Sequence, residues 1–114
     1  MRNSMQSLSQ GDIVFAYFPY EEDKTLKKER PCLVLAVDDT NQKFLAAKIT
    51  TTKIERYWVI HLKAGTENMA KGYLRTDSWI NLNRREWISY DDFIFYIGKV
   101  TDCIFEKILT KIKQ

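Results

Sequence analysis

Cysteine, glycine and proline are all scarce in this chain of 114 residues, which has two, four and two of them respectively. Cys32 and Cys103 are far apart and belong to no CxxC pair, so neither a disulfide framework nor a zinc site is indicated. A reducing cytoplasm fits this cysteine usage best. The low Gly and Pro content, with 45% hydrophobic residues, argues against fibrous or disordered classes and indicates a globular core.

Long hydrophobic runs are also missing. No apolar run approaches the ~20 residues that a membrane helix needs. The opening MRNSMQSLSQ is polar and lacks the apolar centre of a signal peptide, so we predict a flexible N-terminal tail over residues 1–10. We expect one domain over residues 11–114, located in the cytoplasm and without membrane contact, because the length leaves no room for a second domain.

Histidine occurs once, as His61 in YWVIHL. Strand alternation puts His61 on the face opposite Ile60 and Leu62, so we expect a surface imidazole, and a paired-histidine nuclease mechanism is excluded. No HExxH, phosphate-binding P-loop or GxSxG motif is present to support metalloprotease, nucleotide hydrolase or α/β-hydrolase chemistry. No residues show metal-ligand spacing either, so we expect neither a metal nor another cofactor.

What the chain contains instead is a series of short β-like runs. DIVFAYFPY, CLVLAVDD, KFLAAKIT and RYWVIHL are strand-sized, GYLRTDSWINLN predicts a fifth strand, and EWISYDDFIFYIGKV predicts one or two more around Asp91 and Asp92. TDCIFEKILTKIKQ has helical apolar spacing and predicts an amphipathic helix capped by Thr101 or Asp102. This pattern predicts a mainly β fold, a small barrel or strongly curled sheet with the helix laid on it.

A charged segment, EEDKTLKKER at residues 21–30, separates the first two predicted strands. It is either a solvated hairpin loop or a mobile loop over a binding face. At its end, Arg30 and Pro31 precede an apolar run. Arg30 at the mouth of that strand is either an ordinary solvated charge or a fixed guanidinium aimed at a phosphate or carboxylate.

Further polar residues lie near the predicted strand ends. Thr50, Thr51 and Thr52 stand where the third strand runs into a loop, and their hydroxyls either cap the turn or hold a phosphate oxygen. LRTDSW and NLNRREWISY add cationic, polar and aromatic residues: Arg75, Asp77, Ser78, Trp79, Arg84, Arg85, Trp87 and Tyr90. These are either surface charges beside core aromatics or a phosphate-and-stacking surface for single-stranded nucleic acid. The net charge of +3 permits such a partner without arguing for it.

Taken in order, these pieces resemble the MazF/PemK/Kid family of toxins from bacterial type II toxin–antitoxin systems. GDIVFAYF is similar to the family's first strand, ERPCLVLA to its Arg-Pro hallmark and second strand, and AAKIT to the strand that ends in its functional threonine. RTDSWINL resembles its Asp-Ser strand, and IGKVTDCIFEKILTKI its closing Ile-Gly and terminal helix. The resemblance extends over residues 11–112.

The resemblance implies an SH3-like barrel of the CcdB/MazF/Kid type, a homodimer, a cognate antitoxin, and metal-independent cleavage of single-stranded RNA such as mRNA at a short sequence motif. In such enzymes the ribose 2′-hydroxyl attacks the adjacent phosphate. Arg30 matches the family's catalytic arginine, and Pro31 directly after it fixes the direction of the chain at the strand entrance. Thr50 matches the family's phosphate-positioning threonine. The candidates for RNA binding are Thr51, Thr52, Lys27, Lys28, Arg75, Asp77, Ser78, Asn83, Arg84 and Arg85.

The chain departs from the family's pattern at two places where relatives often have a carboxylate. Thr25 stands where a Glu often precedes the Arg-Pro pair by five residues, and Asn83 and Arg84 replace an acidic-Gln pair. A general base proposed for some relatives is therefore missing. Three acidic residues are candidates to substitute for it: Glu22, Glu29 and Asp77.

Two other functions stay open. The related CcdB fold binds DNA gyrase without catalysis through its C-terminal helix, and an exposed apolar-aromatic end on the last helix would favour that function here. The missing carboxylates also allow a nucleic-acid-binding barrel that has lost its activity. The arginine and threonine motifs favour cleavage over both.

Overall fold

The computed structural model describes residues 8–113. In chain order, the helix and strands of these residues are β1 (Asp12–Pro19), β2 (Lys27–Asp38), β3 (Lys43–Thr50), β4 (Val59–Leu62), β5 (Met69–Lys71), β6 (Ser78–Ser89), β7 (Phe93–Val100) and α1 (Asp102–Ile112). A 3-10 turn at Tyr90–Asp92 separates β6 from β7. A mainly β fold that ends in one helix confirms the predicted fold class.

The strands form one antiparallel sheet in the order β4-β6-β3-β2-β1-β7-β5. Register shifts interrupt the pairing of β1 with β7, of β2 with β3 and of β3 with β6. A bulge bends its strand and increases the local twist. These shifts therefore curl the sheet into a half-barrel.

Alternation along the strands places apolar side chains on both faces of the sheet. On one, the helix face, Leu33 and Ile49 pack in a cluster with Ile108 of α1. On the other, the second face, Phe18 and Phe44 belong to a separate cluster. Burying a side chain of this size contributes roughly 1.5–3 kcal/mol. Both faces therefore have a core, and a charged side chain among these positions requires a specific reason.

The connection between β1 and β2 is shorter than predicted. Residues 27–30 belong to β2 and pair with β1, where Arg30 faces Ala16. The prediction of a loop holds for residues 21–26 and was wrong for residues 27–30, and the prediction of Arg30 at a strand entrance was wrong. Charged side chains do not oppose β pairing where they project into solvent, and the hairpin continues through them.

Pro31 marks the point where β2 separates from β3. The pairing of β2 with β3 begins only at Cys32, which faces Lys48, whereas β2 pairs with β1 as far as Lys27. Proline has no N–H to donate and is tolerated where one edge of a strand is unpaired. Pro31 therefore lies inside β2, and among residues 8–113 no strand pairs with the second edge of the backbone beside Arg30.

The segment GYLRTDSWINLN does not form a strand from its beginning, because β6 starts at Ser78 and then runs on through the next predicted strand. Gly72 has φ 74°, and a Cβ there would lie 2.6 Å from the carbonyl oxygen of Ile97. The chain therefore turns at a position that only glycine fits. Asp91 and Asp92 lie in the 3-10 turn between β6 and β7.

The C-terminal helix agrees with its sequence pattern. Thr101 Oγ1 accepts the N–H of Ile104 at 3.2 Å, which confirms Thr101 as the predicted cap. Ile104 and Ile108 are buried, whereas Glu106 and Thr110 are exposed. No helix within residues 8–113 is long and apolar enough to cross a membrane.

Residues 1–7 of the predicted N-terminal tail lie outside the described residues. Leu8 is buried in the cluster of the second face. Lys99 Nζ donates to Ser9 Oγ at 2.9 Å and to the carbonyl oxygen of Gln10 at 2.7 Å. Residues 8–10 therefore pack on the sheet.

Candidate active site

A row of three side chains, Thr50, Trp79 and His61, crosses the second face at the end of β3. Thr50 faces Trp79 on β6, and Trp79 faces His61 on β4. Arg30 lies two residues before Cys32, and Thr50 lies two residues after Lys48, the partner of Cys32, so strand alternation puts Arg30 and Thr50 on the same face. Directly opposed residues project from the same face of a sheet. Arg30 therefore shares this face with Thr50, and it is close enough to Lys48 to lower the pKa of that lysine.

Lys48, two residues before Thr50, adds a second cation on this face. Burial lowers the pKa of Lys48, and the positive charges of Arg30 and Arg84 lower it further, while Glu21 and Glu22 act in the opposite direction. Positive charges that are held together in a partly buried place repel one another, and this repulsion destabilises the protein when no anion is bound. Such an arrangement is typical of a site that binds an anion.

Arg30 is half-buried at the centre of this cluster. Within residues 8–113, no carboxylate or hydrogen-bond acceptor engages its guanidinium. The residue that faces it on β1 is the small Ala16. Arg30 therefore keeps its five N–H donors, in a planar fork, for a ligand.

Thr50 has a hydroxyl whose oxygen is already held in place. Thr50 Oγ1 accepts the backbone N–H of Thr52 at 3.1 Å. A hydroxyl carries one hydrogen as well as its lone pairs. The O–H of Thr50 can therefore donate to a bound phosphate while Thr52 fixes the position of the oxygen.

Arg84 reaches the cluster because β6 has a bulge. The register between β3 and β6 shifts between Ala47 and Lys48, so residues 82–84 have no opposite residue on β3. The extra residues change which side chains point to the second face. The bulge turns Arg84 toward this face, and its neighbour Arg85 points toward the helix face.

Arg84 is fixed by contacts within the protein. Its guanidinium donates to the carbonyl oxygen of Pro19 at 2.7 Å and to Glu86 Oε2 at 2.9 Å. The guanidinium carbon lies 5.2 Å from the centroid of the Phe18 ring, and 11% of the side chain is exposed. Arg84 therefore connects β6 to the end of β1. Its N–H donors are engaged within the protein, so it acts on the cluster mainly through its positive charge.

The connection between β1 and β2 lies against β6. Lys24 forms an ion pair with Glu86, and Glu21 Oε1 lies 3.8 Å from Arg84 Nε. Burial raises the pKa of Glu86, but hydrogen bonds from Lys24 and Arg84 outweigh it and leave that pKa below its usual value. These contacts hold Glu21 and Glu22 at the rim of the cation cluster.

The three carboxylates proposed to replace the missing base differ in position. Glu22 is close enough to raise the pKa of Lys48. Glu29 is next to Arg30 on β2 and points to the other face. Asp77 is engaged elsewhere, since its Oδ2 lies 3.1 Å from Nε2 of His61. Within residues 8–113, no three His, Cys, Asp or Glu side chains are arranged to hold a metal ion.

Some of the predicted RNA-binding residues surround the cluster. Lys28, Thr52 and Asn83 are exposed near it: Lys28 is two residues from Arg30, Thr52 is bonded to Thr50, and Asn83 precedes Arg84 in the bulge. Lys27 is held in an ion pair with Asp92 at 2.8 Å.

Thr51, Arg75 and Ser78 line a groove of about 560 Å³ on the helix face. The groove is mainly apolar, and within it Phe15 stacks on Phe95 with ring centroids 5.1 Å apart. The structure therefore does not bring these three predicted RNA-binding residues to Arg30 and Thr50.

Lys48 was not among the residues that the sequence indicated. The signal was present in KFLAAKIT, because strand alternation aligns Lys48 with Phe44 and Ala46, which are buried. A lysine in register with core positions requires either solvent or an anion. The contact of His61 with Asp77 had no local signal, since it joins residues 16 apart through a non-repetitive segment.

These features define a small curled sheet with a cluster of cations, Arg30, Lys48 and Arg84, on one face. Residues 9–114 match the family model described as PemK-like, MazF-like toxin of type II toxin–antitoxin system. The chain belongs to this family, which confirms the resemblance seen in the sequence. No match was found among curated proteins.

The solved structures with a similar fold include several from mycobacteria. One is an endoribonuclease in complex with its cognate antitoxin from a mycobacterial species, with TM-score 0.69, 18% identity, and coverage of 93% of this chain and 91% of that one. Another, an endoribonuclease from a mycobacterial species, has TM-score 0.66 and 18% identity over 93% and 88%. The Mycobacterium tuberculosis toxin MazF-mt6 has TM-score 0.64 and 18% identity over 87% and 91%.

Proposed function

We propose that this chain is a toxin endoribonuclease that cleaves single-stranded RNA, including mRNA, at a short sequence motif. The observation that carries the proposal is the cluster on the second face, where the unengaged guanidinium of Arg30 lies near Lys48, on the face that also carries Thr50. Membership of the MazF-like toxin family and the similarity to mycobacterial endoribonucleases support it.

The proposed reaction is an attack by the ribose 2′-oxygen on the adjacent phosphorus. The bond from phosphorus to the 5′-oxygen breaks, which leaves a 2′,3′-cyclic phosphate and a 5′-hydroxyl. Arg30 donates to two non-bridging oxygens and stabilises the charge that grows on the pentacoordinate phosphate. Thr50 donates one hydrogen bond to the same group, and Lys48 adds a positive charge.

The 2′-hydroxyl must lose its proton as it attacks, and the departing 5′-oxygen must gain one. We assign the base to a carboxylate of the β1–β2 connection, either Glu22 or Glu21, because both lie near the cations. The conjugate acid then returns a proton to the 5′-oxygen.

The positive charge of Arg30 and Lys48 gives the phosphate the stabilisation that a metal ion provides in other nucleases, so we propose that the reaction is metal-independent.

We further propose that the protein acts in the cytoplasm as a homodimer and inhibits growth until a cognate antitoxin binds it. A structure with the same fold is described as a complex with its cognate antitoxin, which supports an antitoxin partner here. The gyrase-binding alternative required an exposed apolar-aromatic end on the last helix. In the described part of α1, Ile112 packs against the core, so this end of the helix does not support the gyrase-binding alternative.

The test is incubation of the purified protein with a long RNA in EDTA, followed by mapping of the cut ends. We expect cuts at a short motif, with cyclic phosphate and 5′-hydroxyl ends, at a rate that chelation does not change. The Arg30→Ala variant, purified in parallel, controls for contaminating nucleases. Loss of cleavage in EDTA with recovery in magnesium would contradict the metal-independent mechanism, and the absence of any cleavage would contradict the assignment.

A further inference from the structure

His61 and Trp79 form a stacked pair at the far end of the row that begins with Thr50. Their ring centroids are 4.8 Å apart and their planes are inclined by 8°. Trp79 faces Thr50 across the β3–β6 pair, and 42% of the His61 side chain is exposed. Trp79 covers one face of the imidazole. The exposure lies on the rest of the ring, on the same side of the sheet as the cation cluster.

The orientation of the His61 ring is fixed by Asp77. His61 Nε2 lies 3.1 Å from Asp77 Oδ2, and the other oxygen, Oδ1, accepts the N–H of Ala64 at 2.8 Å. The bond from Ala64 and then the bond from His61 lower the pKa of the Asp77 carboxyl. A carboxylate accepts hydrogen bonds, so Nε2 carries the hydrogen and Nδ1 of the neutral ring is left as an acceptor.

The position of His61 argues against a part in proton transfer. Neighbouring strands lie about 4.8 Å apart, so two strand spacings separate His61 from Thr50 by about 10 Å. A group that moves a proton in the reaction must come within hydrogen-bond distance of the reacting atoms. His61 is too far from a phosphate held by Thr50, but within reach of a base attached to a neighbouring nucleotide.

We propose that His61 and Trp79 form a stacking subsite for one unpaired nucleobase next to the cleaved phosphate, and that this subsite sets the sequence preference at that position. The proposal rests on the proposed RNA cleavage. Single-stranded nucleic acids bind where a positively charged surface adjoins aromatic rings on which bases stack. The second face combines both features, with Asp77 as the residue that positions the ring.

The first experiment measures binding without cleavage. The probe is a single-stranded RNA that contains the cleavage motif and has a 2′-deoxy sugar at the cleaved position, so that the attacking hydroxyl is absent. We expect His61→Ala to weaken binding roughly tenfold, in the range found for loss of one stacked base. His61→Phe keeps a stacking ring and should bind within about threefold of the wild type on the same basis.

Trp87→Ala is the matched control. Trp87 lies on β6, the strand of Trp79, and is 48% exposed. Its cross-strand partner Leu45 packs against the core of the helix face, so Trp87 projects from that face and not from the second face. We expect its removal to leave binding unchanged. Equal losses for His61→Ala and Trp87→Ala, or no loss for His61→Ala with the variant shown folded by circular dichroism, would overturn the subsite.

A second experiment maps cleavage of an RNA pool with randomised positions around the motif. We expect His61→Ala to lose the preference at one position beside the cut and to keep the others. Asp77→Asn should weaken binding in the wild type but have no effect in the His61→Phe background, because phenylalanine has no nitrogen for residue 77 to orient. Equal effects of Asp77→Asn in both backgrounds would contradict the positioning role.

The two proposals fail in different ways. If the wild-type chain cuts no RNA but His61→Ala still weakens binding of the single-stranded probe, cleavage is wrong and the stacking subsite stands. If cleavage occurs and the position profile of His61→Ala equals that of the wild type, the subsite is wrong and cleavage stands.

Discussion

Arg30 combines a half-buried position, a small residue opposite it and a guanidinium that no described residue engages. If it stabilises the pentacoordinate phosphate, Arg30→Ala should lower kcat/KM on the order of 10²-fold or more, as for the loss of one preorganised donor. Arg30→Lys should recover little of this, because lysine keeps the charge but loses the planar fork. Initial-rate measurements on a short RNA substrate would test both.

If Arg30 were only an ordinary solvated charge, the Arg30→Ala variant would cleave RNA at a rate near that of the wild type. Such rates, with circular dichroism of the variant equal to that of the wild type, would require the active site to be placed elsewhere. Lys28→Ala is a suitable control, since Lys28 is an exposed cation on the same strand and should cost only binding that weakens with added salt.

We expect a substitution that removes the charge of Lys48 to change stability and activity in opposite directions. The pKa of Lys48 is lower in the folded protein than in the unfolded chain. At pH values between these two pKa values the unfolded chain binds more protons than the folded protein. The free energy of unfolding contributed by Lys48 therefore rises with pH in this range. At neutral pH the charged Lys48 therefore weakens the fold. Lys48→Met should raise the free energy of unfolding by about 1 kcal/mol and reduce cleavage. Urea unfolding at pH 7 would test the first effect.

A second unfolding series, measured on the wild type and on Lys48→Met as the pH is raised toward the ordinary pKa of lysine, checks the cause. The difference between the two proteins should shrink as Lys48 loses its proton. A constant difference would assign the effect to packing instead of charge.

The bulge of β6 is the feature that joins the site to the fold. It turns Arg84 toward Pro19 and Glu86, whereas Arg85 is exposed and points the other way. Arg84→Ala should therefore lower the free energy of unfolding by about 2 kcal/mol, since a partly buried carbonyl oxygen and a carboxylate lose a donor. Arg85→Ala is the matched control and should change stability by less than about 0.5 kcal/mol. Equal effects in thermal unfolding would contradict this role of the bulge.

The secondary structure was largely readable from local patterns. Helical spacing and the Thr101 cap placed α1, and β-branched runs placed the centres of β1, β2 and β3. The errors occurred where tertiary pairing decides. Charged residues 27–30 continue β2 because β1 supplies the hydrogen-bond partners, and Pro31 is tolerated inside a strand because β3 has already left its other edge.

The site was readable only in part for a related reason. Arg30 and Thr50 were predicted from their motif, and the structure puts them on the same face of the sheet. Arg75 and Ser78 are not grouped with them, because alternation and the turn at Gly72 carry these residues to the groove on the other face. Lys48 had a local signal that follows from strand alternation. The pairing of His61 with Asp77 depends on a loop path that no local pattern specifies.

The chain as one unit presents large exposed apolar side chains beside the groove of the helix face, among them Tyr73 and Phe95, at 61% and 51% exposure. A net charge of only +3 gives little repulsion between copies. Two-fold dimers are the commonest small assembly, and we predict one for this protein.

Light scattering on a size-exclusion column, with protein at about 10 μM, should therefore give twice the chain mass of 13.5 kDa for any dimer with micromolar or tighter affinity. The mass should not change with added salt, because apolar contacts are not screened, whereas association through surface charges would weaken. A monomer at this concentration would contradict the prediction.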